Sequence, residues 1–181
     1  MTLNHQRHLL LSQLEAHQAF NTAETEHLNR IINFLRRQSE PFSRTTLEGH
    51  ITASAVVVDE RMQMALIWHE KLHRWLQPGG HCEPDLDMIL ADTARRELVE
   101  ETTIAADSVF LLDEKPFDVD VHPFPERGSE SAHFHYDVRF LFQTKHDLLP
   151  KDASRFRWIP LEDLAAMPDE SLARFAHKLL G

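Results

Sequence analysis

Three glutamates lie close together in the middle of the chain: Glu97, Glu100 and Glu101. Residues three and four positions apart share one side of a helix, so this spacing gathers three carboxylates over the last turns of a predicted helix at 87–102. Like charges at these spacings repel, and anions near a helix C-terminus also oppose the helix dipole. A bound hard cation reverses the sign of that interaction, because Mg²⁺ and Mn²⁺ prefer carboxylate oxygens as ligands. The cluster therefore predicts a divalent-metal site.

A glycine-rich loop directly precedes this acidic helix. Gly79 and Gly80 follow Pro78, and two glycines after a proline suit a tight turn whose backbone can approach a ligand closely. An acidic helix face alone is most often a solvated surface, but the adjoining loop favours a cradle for phosphate and metal. His81 lies in the same loop, where it could touch phosphate or simply form a local hydrogen bond.

A second group of polar residues lies on a predicted strand at 132–143. Strict alternation places polar side chains on one face of this strand and apolar side chains on the other. The polar face carries His133, His135, Asp137 and Arg139, and the apolar face carries Phe134, Tyr136, Val138 and Phe140. Three roles are open for the polar face: solvent exposure, contact with a substrate in which Arg139 binds phosphate, or a metal site built from the two imidazoles.

The elements that must position these residues follow from the hydrophobic pattern. The N-terminal part of the chain has apolar residues at helical spacing, and Asn21 with Glu24 is spaced as a capping box at the start of a second helix. Pro41 ends that helix. We expect a helical hairpin packed on the main body, with a dimer-forming arm as the alternative.

From Gly49 onward the pattern changes to strands. Runs rich in β-branched and aromatic residues, separated by polar turns, predict a sheet interleaved with helices. The predicted strands cover 51–58, 64–68, 109–115, 117–121, 132–143 and 155–159, and the predicted C-terminal helices cover 161–167 and 172–180. This order of elements is typical of an α/β or α+β sandwich.

Composition limits the classes of function. The 181 residues carry a net charge of −10, which repels phosphate backbones at long range and disfavours general nucleic-acid binding. Cys82 is the single cysteine, which excludes an internal disulfide and fits a reducing compartment. Neither a signal-peptide pattern nor an apolar run of about 18 residues is present. We therefore expect a cytoplasmic protein that binds neither membrane nor nucleic acid.

The loop and helix together resemble the signature of the Nudix hydrolase family. That signature runs Gly, five residues, Glu, seven residues, then Arg-Glu-apolar-any-Glu-Glu-any-Gly-apolar. Gly80 matches the opening glycine, and the segment at 96–104 matches the closing block except that Thr103 replaces glycine. The preceding hairpin and the segment at 157–164 also look like Nudix elements in the expected order.

The middle of the signature departs from the family pattern. Fifteen residues separate Gly80 from Arg96, where the signature has thirteen. A two-residue expansion between loop and helix reconciles the lengths and places Asp87 or Asp85 in the position of the first Glu. The other role open to Asp87 is a helix N-cap.

The resemblance implies an α/β/α sandwich with a mixed central sheet, preceded by the N-terminal helical hairpin. The Nudix hydrolase domain would cover 46–181 and the helical extension 1–45. The implied activity is a Mg²⁺- or Mn²⁺-dependent hydrolase that cleaves the diphosphate linkage of a nucleoside diphosphate joined to another group, by water attack at phosphorus. Its partner would be a small nucleotide-like substrate. The alternative is a catalytically weak nucleotide-binding or regulatory module on the same fold.

The resemblance also implies roles for individual residues. Glu97 and Glu101 would bind the metal directly, and Glu100 would be a third ligand or orient the metal-bound water. Arg96 would pair with a carboxylate of the signature, and the backbone carbonyl of Gly79 would complete the coordination. The expected substrate-binding set consists of Gly80, His81, His135 and Arg139.

Overall fold

The structure, a computed structural model, describes most of the chain. The described residues are 3–70, 72–83, 86–102, 104–126, 131–145 and 153–181. Asp85, one of the two candidates for the first Glu of the signature, and Thr103 lie outside the described residues.

The strands of the described residues form one mixed sheet. They are β1 (Gly49–Asp59), β2 (Gln63–His69), β3 (Arg74–Leu76), β4 (Gly79–His81), β5 (Val109–Leu111), β6 (Asp118–Phe124), β7 (His133–Thr144) and β8 (Phe156–Pro160). The main order is β3-β2-β1-β7-β5, while β4 pairs with β1, β6 with β7 and β8 with β2. The central pair β1 and β7 is parallel and the other pairs are antiparallel.

Helices cover both faces of this sheet. They are α1 (Leu3–Glu15), α2 (Thr22–Arg37), α3 (Leu90–Thr102), α4 (Leu161–Ala165) and α5 (Glu170–Leu180). One apolar core joins α1, α2 and α3 to one face, and a second core joins α4 and α5 to the other. The predicted α/β/α sandwich with an N-terminal helical hairpin is therefore confirmed. Among the described residues, no helix has both the length and the apolar character needed to cross a membrane.

The N-terminal hairpin shares the main core rather than standing apart. Phe34 of α2 is fully buried, and its ring stacks on Tyr136 of β7 with the ring centroids 3.9 Å apart. Leu10 of α1 belongs to the same core. Asn21 caps α2 as predicted, because its side chain accepts a hydrogen bond from the Glu24 N–H at 2.9 Å. The hairpin thus contributes apolar burial on which the sheet depends.

Most predicted elements differ from the structure in their bounds, and two of them are shorter than predicted by three residues or more. The strand predicted at 109–115 ends at Leu111, because the Asp113 carboxylate accepts the Lys115 N–H and turns the chain. The helix predicted at 87–102 begins at Leu90. The Asp92 carboxylate accepts the N–H groups of Met88 and Ile89, which satisfies donors at the helix start.

A buried charge network lies between the sheet and α5. The Asp118 side chain is inaccessible to solvent and accepts hydrogen bonds from Arg174 at 2.8 Å and from Arg139 at 2.9 Å. The Lys178 ammonium lies 2.8 Å from Asp118 and 2.5 Å from the buried Glu24 carboxylate. Through Lys178, the network ties the N-terminal hairpin to β6 and to the last helix.

We predict that Asp118→Asn lowers the free energy of unfolding by about 3–5 kcal/mol, because it leaves buried cations without their common partner. Burial alone would raise the Asp118 pKa, but hydrogen bonds from Arg174 and the charges of Arg139 and Lys178 lower it from 3.8 to about 2. A folded-state pKa below the unfolded value means that the stabilisation is complete above about pH 4 and declines as the pH falls towards 2. Urea unfolding at a series of pH values measures this difference.

The matched control is Asp107→Asn, since Asp107 is exposed. It should change the unfolding free energy by less than about 0.5 kcal/mol at every pH. Equal effects of the two substitutions would contradict the role assigned to Asp118.

Candidate active site

A cleft of about 390 Å³ lies over the polar part of the sheet. This volume is in the range of small-molecule sites in proteins. Its lining includes these residues of the predicted site: Gly79, Gly80, His81, Glu97, Glu101, His135 and Arg139. The structure therefore brings the glycine segment, the acidic helix and the polar strand together at one cleft.

Strand register explains how the glycine segment reaches the cleft. The sequence predicted a loop here, but Gly79–His81 forms the short strand β4. It pairs with the middle of β1, so that Gly79 lies opposite Ser54 and His81 opposite Thr52. On the other side of β1, Ser54 is paired with Arg139 of β7 and Thr52 with Asp137. The glycine segment is therefore fixed by backbone pairing at the same level as the polar face of β7.

Glycine at positions 79 and 80 leaves room for the neighbouring strand and for the Glu97 side chain. A Cβ atom at Gly80 would overlap the Glu97 carboxylate, and one at Gly79 would overlap Ser54 and the Ala53 backbone. The absence of a side chain lets α3 place a carboxylate directly against the backbone of β4.

Arg96 holds this end of α3 in place through several hydrogen bonds. Its Nη1 donates to Glu97 at 2.9 Å, and its Nη2 donates to the His81 carbonyl at 2.7 Å. Nε and Nη2 both donate to the Asp87 carboxylate, at 3.2 and 3.0 Å. The guanidinium thus joins the loop before α3, the strand β4 and the metal-ligand candidate Glu97.

Asp87 has a different role from the helix N-cap that was one alternative. The helix begins at Leu90, and the Asp87 carboxylate accepts hydrogen bonds from the Glu83 N–H, the Thr93 hydroxyl and Arg96. The N-cap alternative is therefore wrong, because Asp87 is turned towards the guanidinium instead of the first helical N–H groups. Its ion pair with Arg96 is the arrangement expected if Asp87 takes the position of the first Glu of the signature.

The carboxylates at the end of α3 are strained electrostatically. Burial raises the Glu101 pKa to about 7, and the charges of Glu97 and Glu100 act in the same direction, against a hydrogen bond from the Gly79 N–H at 3.0 Å. Burial also raises the Glu97 pKa, although Arg96 opposes it. Glu100 is 58% exposed and lies 3.6 Å from Arg96. The repulsion expected from the spacing is therefore present at the two carboxylates that face the cleft.

This donor set fits a hard divalent cation. Glu97 and Glu101 offer carboxylate oxygens at the cleft. A cation between them would stabilise their charged forms and so lower the pKa values that burial and like charges raise. The three glutamates of α3 do not converge on one point. Among the described residues, the one group of three ligand atoms within 4.8 Å of one another consists of histidines. At Gly79 the contact present is its N–H with Glu101.

Arg139 does not have the surroundings expected of a phosphate ligand. It is only 2% exposed, and its guanidinium donates at 2.9 Å to each of three aspartates. These are Asp118, Asp120 and Asp137, and Ser171 accepts a further hydrogen bond. The predicted phosphate role is therefore wrong for this conformation, because the N–H donors are committed to buried carboxylates.

Polar residues on neighbouring strands extend the site beyond the prediction. His50, Thr52 and Ser54 occupy alternate positions of β1, and Asp137 accepts hydrogen bonds from Thr52 at 3.0 Å and from Ser54 at 2.9 Å. His122 of β6 lies opposite His135. Solvent exposure was one alternative for the polar face of β7, and it is wrong for Asp137 and Arg139, which are buried, while His133 and His135 are partly buried. Polar residues alternate at 50, 52 and 54 in the sequence. This pattern could have predicted their place in the site, but the segment was interpreted only as a strand.

The fold and the cleft define an α/β/α enzyme in which a glycine strand and an acidic helix face a small-molecule site. A family model described as NUDIX domain matches residues 49–179. The chain therefore belongs to the Nudix family and is a Nudix-type hydrolase acting on acid anhydrides. A comparison with curated protein sequences found no match.

Solved structures share this fold. The crystal structure of a C. elegans Ap4A hydrolase is 19% identical, with a TM-score of 0.53, and the match covers 72% of this chain and 98% of that chain. A binary complex of a C. elegans Ap4A hydrolase is 18% identical, with a TM-score of 0.52 and the same coverage. A NUDIX-family hydrolase from Clostridium perfringens is 20% identical over 72% of this chain and 95% of that chain, with a TM-score of 0.49.

We predict that Arg96→Lys lowers the free energy of unfolding by about 2 kcal/mol or more. Lysine has no planar fork, so it cannot satisfy Asp87, Glu97 and the His81 carbonyl together. Thermal or urea unfolding measures the change. Arg95→Lys is the control on the same helix. If it lowered the free energy of unfolding as much as Arg96→Lys, the role assigned to Arg96 would be contradicted.

Proposed function

We propose that the protein is a Mg²⁺- or Mn²⁺-dependent hydrolase that cleaves the diphosphate linkage of a nucleoside diphosphate joined to another group. The observation that carries this proposal is the position of Glu97 and Glu101, which face the same cleft as the glycine strand. Carboxylates beside an accessible backbone suit a hard cation together with phosphate oxygens. The reaction would proceed by water attack at phosphorus.

Within this proposal, Glu97 and Glu101 hold the cation. Glu100 is exposed and serves as a third ligand or orients the attacking water. The Gly79 carbonyl stays a proposed ligand. When bound, the cation neutralises the diphosphate oxygens and lowers the pKa of a coordinated water.

The chain itself positions the reacting groups. Arg96 fixes the Glu97 carboxylate, and Gly80 leaves its backbone open on the side where that carboxylate lies. His81 and His135 border the cleft and form the proposed substrate-binding side together with Gly80. Arg139 has an indirect, positioning role, because it holds Asp137 and Asp120 in place beside the cleft. Preorganised groups of this kind act without rearranging during the reaction.

The proposed partner is a small nucleotide-like molecule. A net charge of −10 supports this over a nucleic-acid or membrane partner, and a cytoplasmic location stays a prediction. A division into an extension at 1–45 and a Nudix hydrolase domain at 46–181 is also proposed. A homodimer formed through the N-terminal hairpin stays a prediction that size-exclusion chromatography with light scattering can test.

The activity can be tested with a panel of phosphorylated compounds in Mg²⁺ or Mn²⁺. Dinucleoside polyphosphates come first, because similar structures are named as Ap4A hydrolases; ADP-ribose, nucleotide-sugars and NADH complete the panel. Release of a mononucleotide supports the proposal. Binding of a nucleotide without turnover by any panel member would instead favour the alternative, a nucleotide-binding or regulatory module.

We predict that Glu97→Gln reduces turnover of the best substrate by about 100-fold or more, because it removes a charged ligand of a cation that contributes several kcal/mol to catalysis. Urea unfolding should be little affected. The exposed Glu162→Gln serves as control and should keep full activity. Full activity in Glu97→Gln would rule out the role proposed for this glutamate.

A further inference from the structure

Five histidines from four strands meet beside the cleft. They are His50 of β1, His81 of β4, His122 of β6, and His133 and His135 of β7. Strand register produces the cluster, because His50 and His122 both lie opposite His135, on its two sides. The ring centroid of His135 lies 5.0 Å from that of His50 and 5.4 Å from that of His122. The proposed hydrolysis uses only two of these five histidines, His81 and His135.

Three of these side chains already have the spacing of metal ligands. One ring nitrogen each from His50, His133 and His135 lies within 4.8 Å of the others. The Nε2 atoms of His133 and His135 are 3.1 Å apart. Two nitrogens bound to one tetrahedral Zn²⁺ at about 2.0 Å would lie about 3.3 Å apart, so this pair needs almost no adjustment.

A purely structural role does not explain the buried ring of His50. Its side chain is 1% exposed, and both ring nitrogens are buried without a hydrogen-bond partner among the described residues. Buried polar groups in proteins nearly always have a partner. A ligand bound between the rings of His50, His133 and His135 would supply it.

The hydrogen bonding of His133 suits metal binding. The His133 Nδ1 lies 2.8 Å from the Ser131 carbonyl, which can only accept, so Nδ1 carries a hydrogen and, in the neutral ring, Nε2 carries the lone pair. Histidine ligands of metals commonly have such a backbone partner at the other nitrogen.

We propose that His50, His133 and His135 form a binding site for a divalent transition-metal cation of the Zn²⁺ type. Imidazole nitrogens suit Zn²⁺ and related ions, whereas the carboxylates of α3 suit Mg²⁺ and Mn²⁺. The site is therefore separate in ligand chemistry from the proposed hydrolytic centre and does not depend on that proposal. Three imidazoles leave a fourth position on a tetrahedral ion for water or an anionic oxygen of a ligand. His135 borders the cleft, so the ion would lie beside it.

The test uses the full chain, without a polyhistidine tag, stripped of metal and kept in excess Mg²⁺. Zn²⁺ is titrated by calorimetry, and Co²⁺ is titrated by its visible absorption, which intensifies in four-coordinate nitrogen sites. We expect one equivalent of each ion to bind. His50→Gln and His133→Gln, made separately, should weaken Zn²⁺ binding by at least about 100-fold and remove the Co²⁺ bands, since loss of a ligand exceeds the cost of losing a supporting hydrogen bond.

Two controls make the result specific. The exposed His177→Gln should bind both ions like the wild type, and so should Glu97→Gln, which removes only a carboxylate at α3. His133 is only partly buried, so His133→Gln tests the proposal even if His50→Gln does not fold. Unchanged binding in His133→Gln, no binding by the wild type, or loss of binding in Glu97→Gln alone would each overturn the proposal.

Discussion

The close contact between the end of α3 and β4 is the constraint on which the cleft depends. Gly80 lets the Glu97 carboxylate approach the β4 backbone, and Arg96 holds that carboxylate while it also binds Asp87 and the His81 carbonyl. A single guanidinium therefore connects the loop, the strand and the helix. Neighbouring carboxylates would repel Glu97 if nothing compensated its charge. The hydrogen bonds of Arg96 therefore hold Glu97 in place without neutralising the whole acidic cluster.

The sheet changes its character along the length of its central strands. On the α5 face, Val56 of β1 and Leu141 of β7 belong to the second apolar core. Towards the other end of these strands the same face becomes polar, first with Ser54 beside Arg139 and finally with His50 beside His135. The change occurs at the same level in both strands because they are paired in parallel register. A cleft can therefore open over the polar part while the apolar part remains covered by helices.

Sequence patterns predicted an α/β or α+β sandwich, the two faces of β7 and the acidic helix, because each depends on local periodicity. The α/β/α arrangement came from the resemblance to the Nudix family. They did not identify Gly79–His81 as a strand, since two glycines have low strand propensity and the pairing with β1 comes from a distant segment. The role of Arg139 was also beyond the sequence, because its carboxylate partners include Asp118 and Asp120 on another strand. The function of a charged side chain depends on which partners the fold brings to it.

The charge around the cleft has a consequence for ligand binding. Glu97, Glu101 and Asp137 line it, while the guanidinium of Arg139 is already engaged by aspartates. The lining also contains Arg44 and Arg74, but its five carboxylates outnumber these two cations, so under the proposed function a cation bound at Glu97 and Glu101 would increase the affinity for a diphosphate. Linkage requires the converse as well: a ligand that binds better in the presence of a cation strengthens the binding of that cation by the same factor. Under the proposed function, the carboxylates that repel each other at the cleft would thereby couple metal binding to substrate binding.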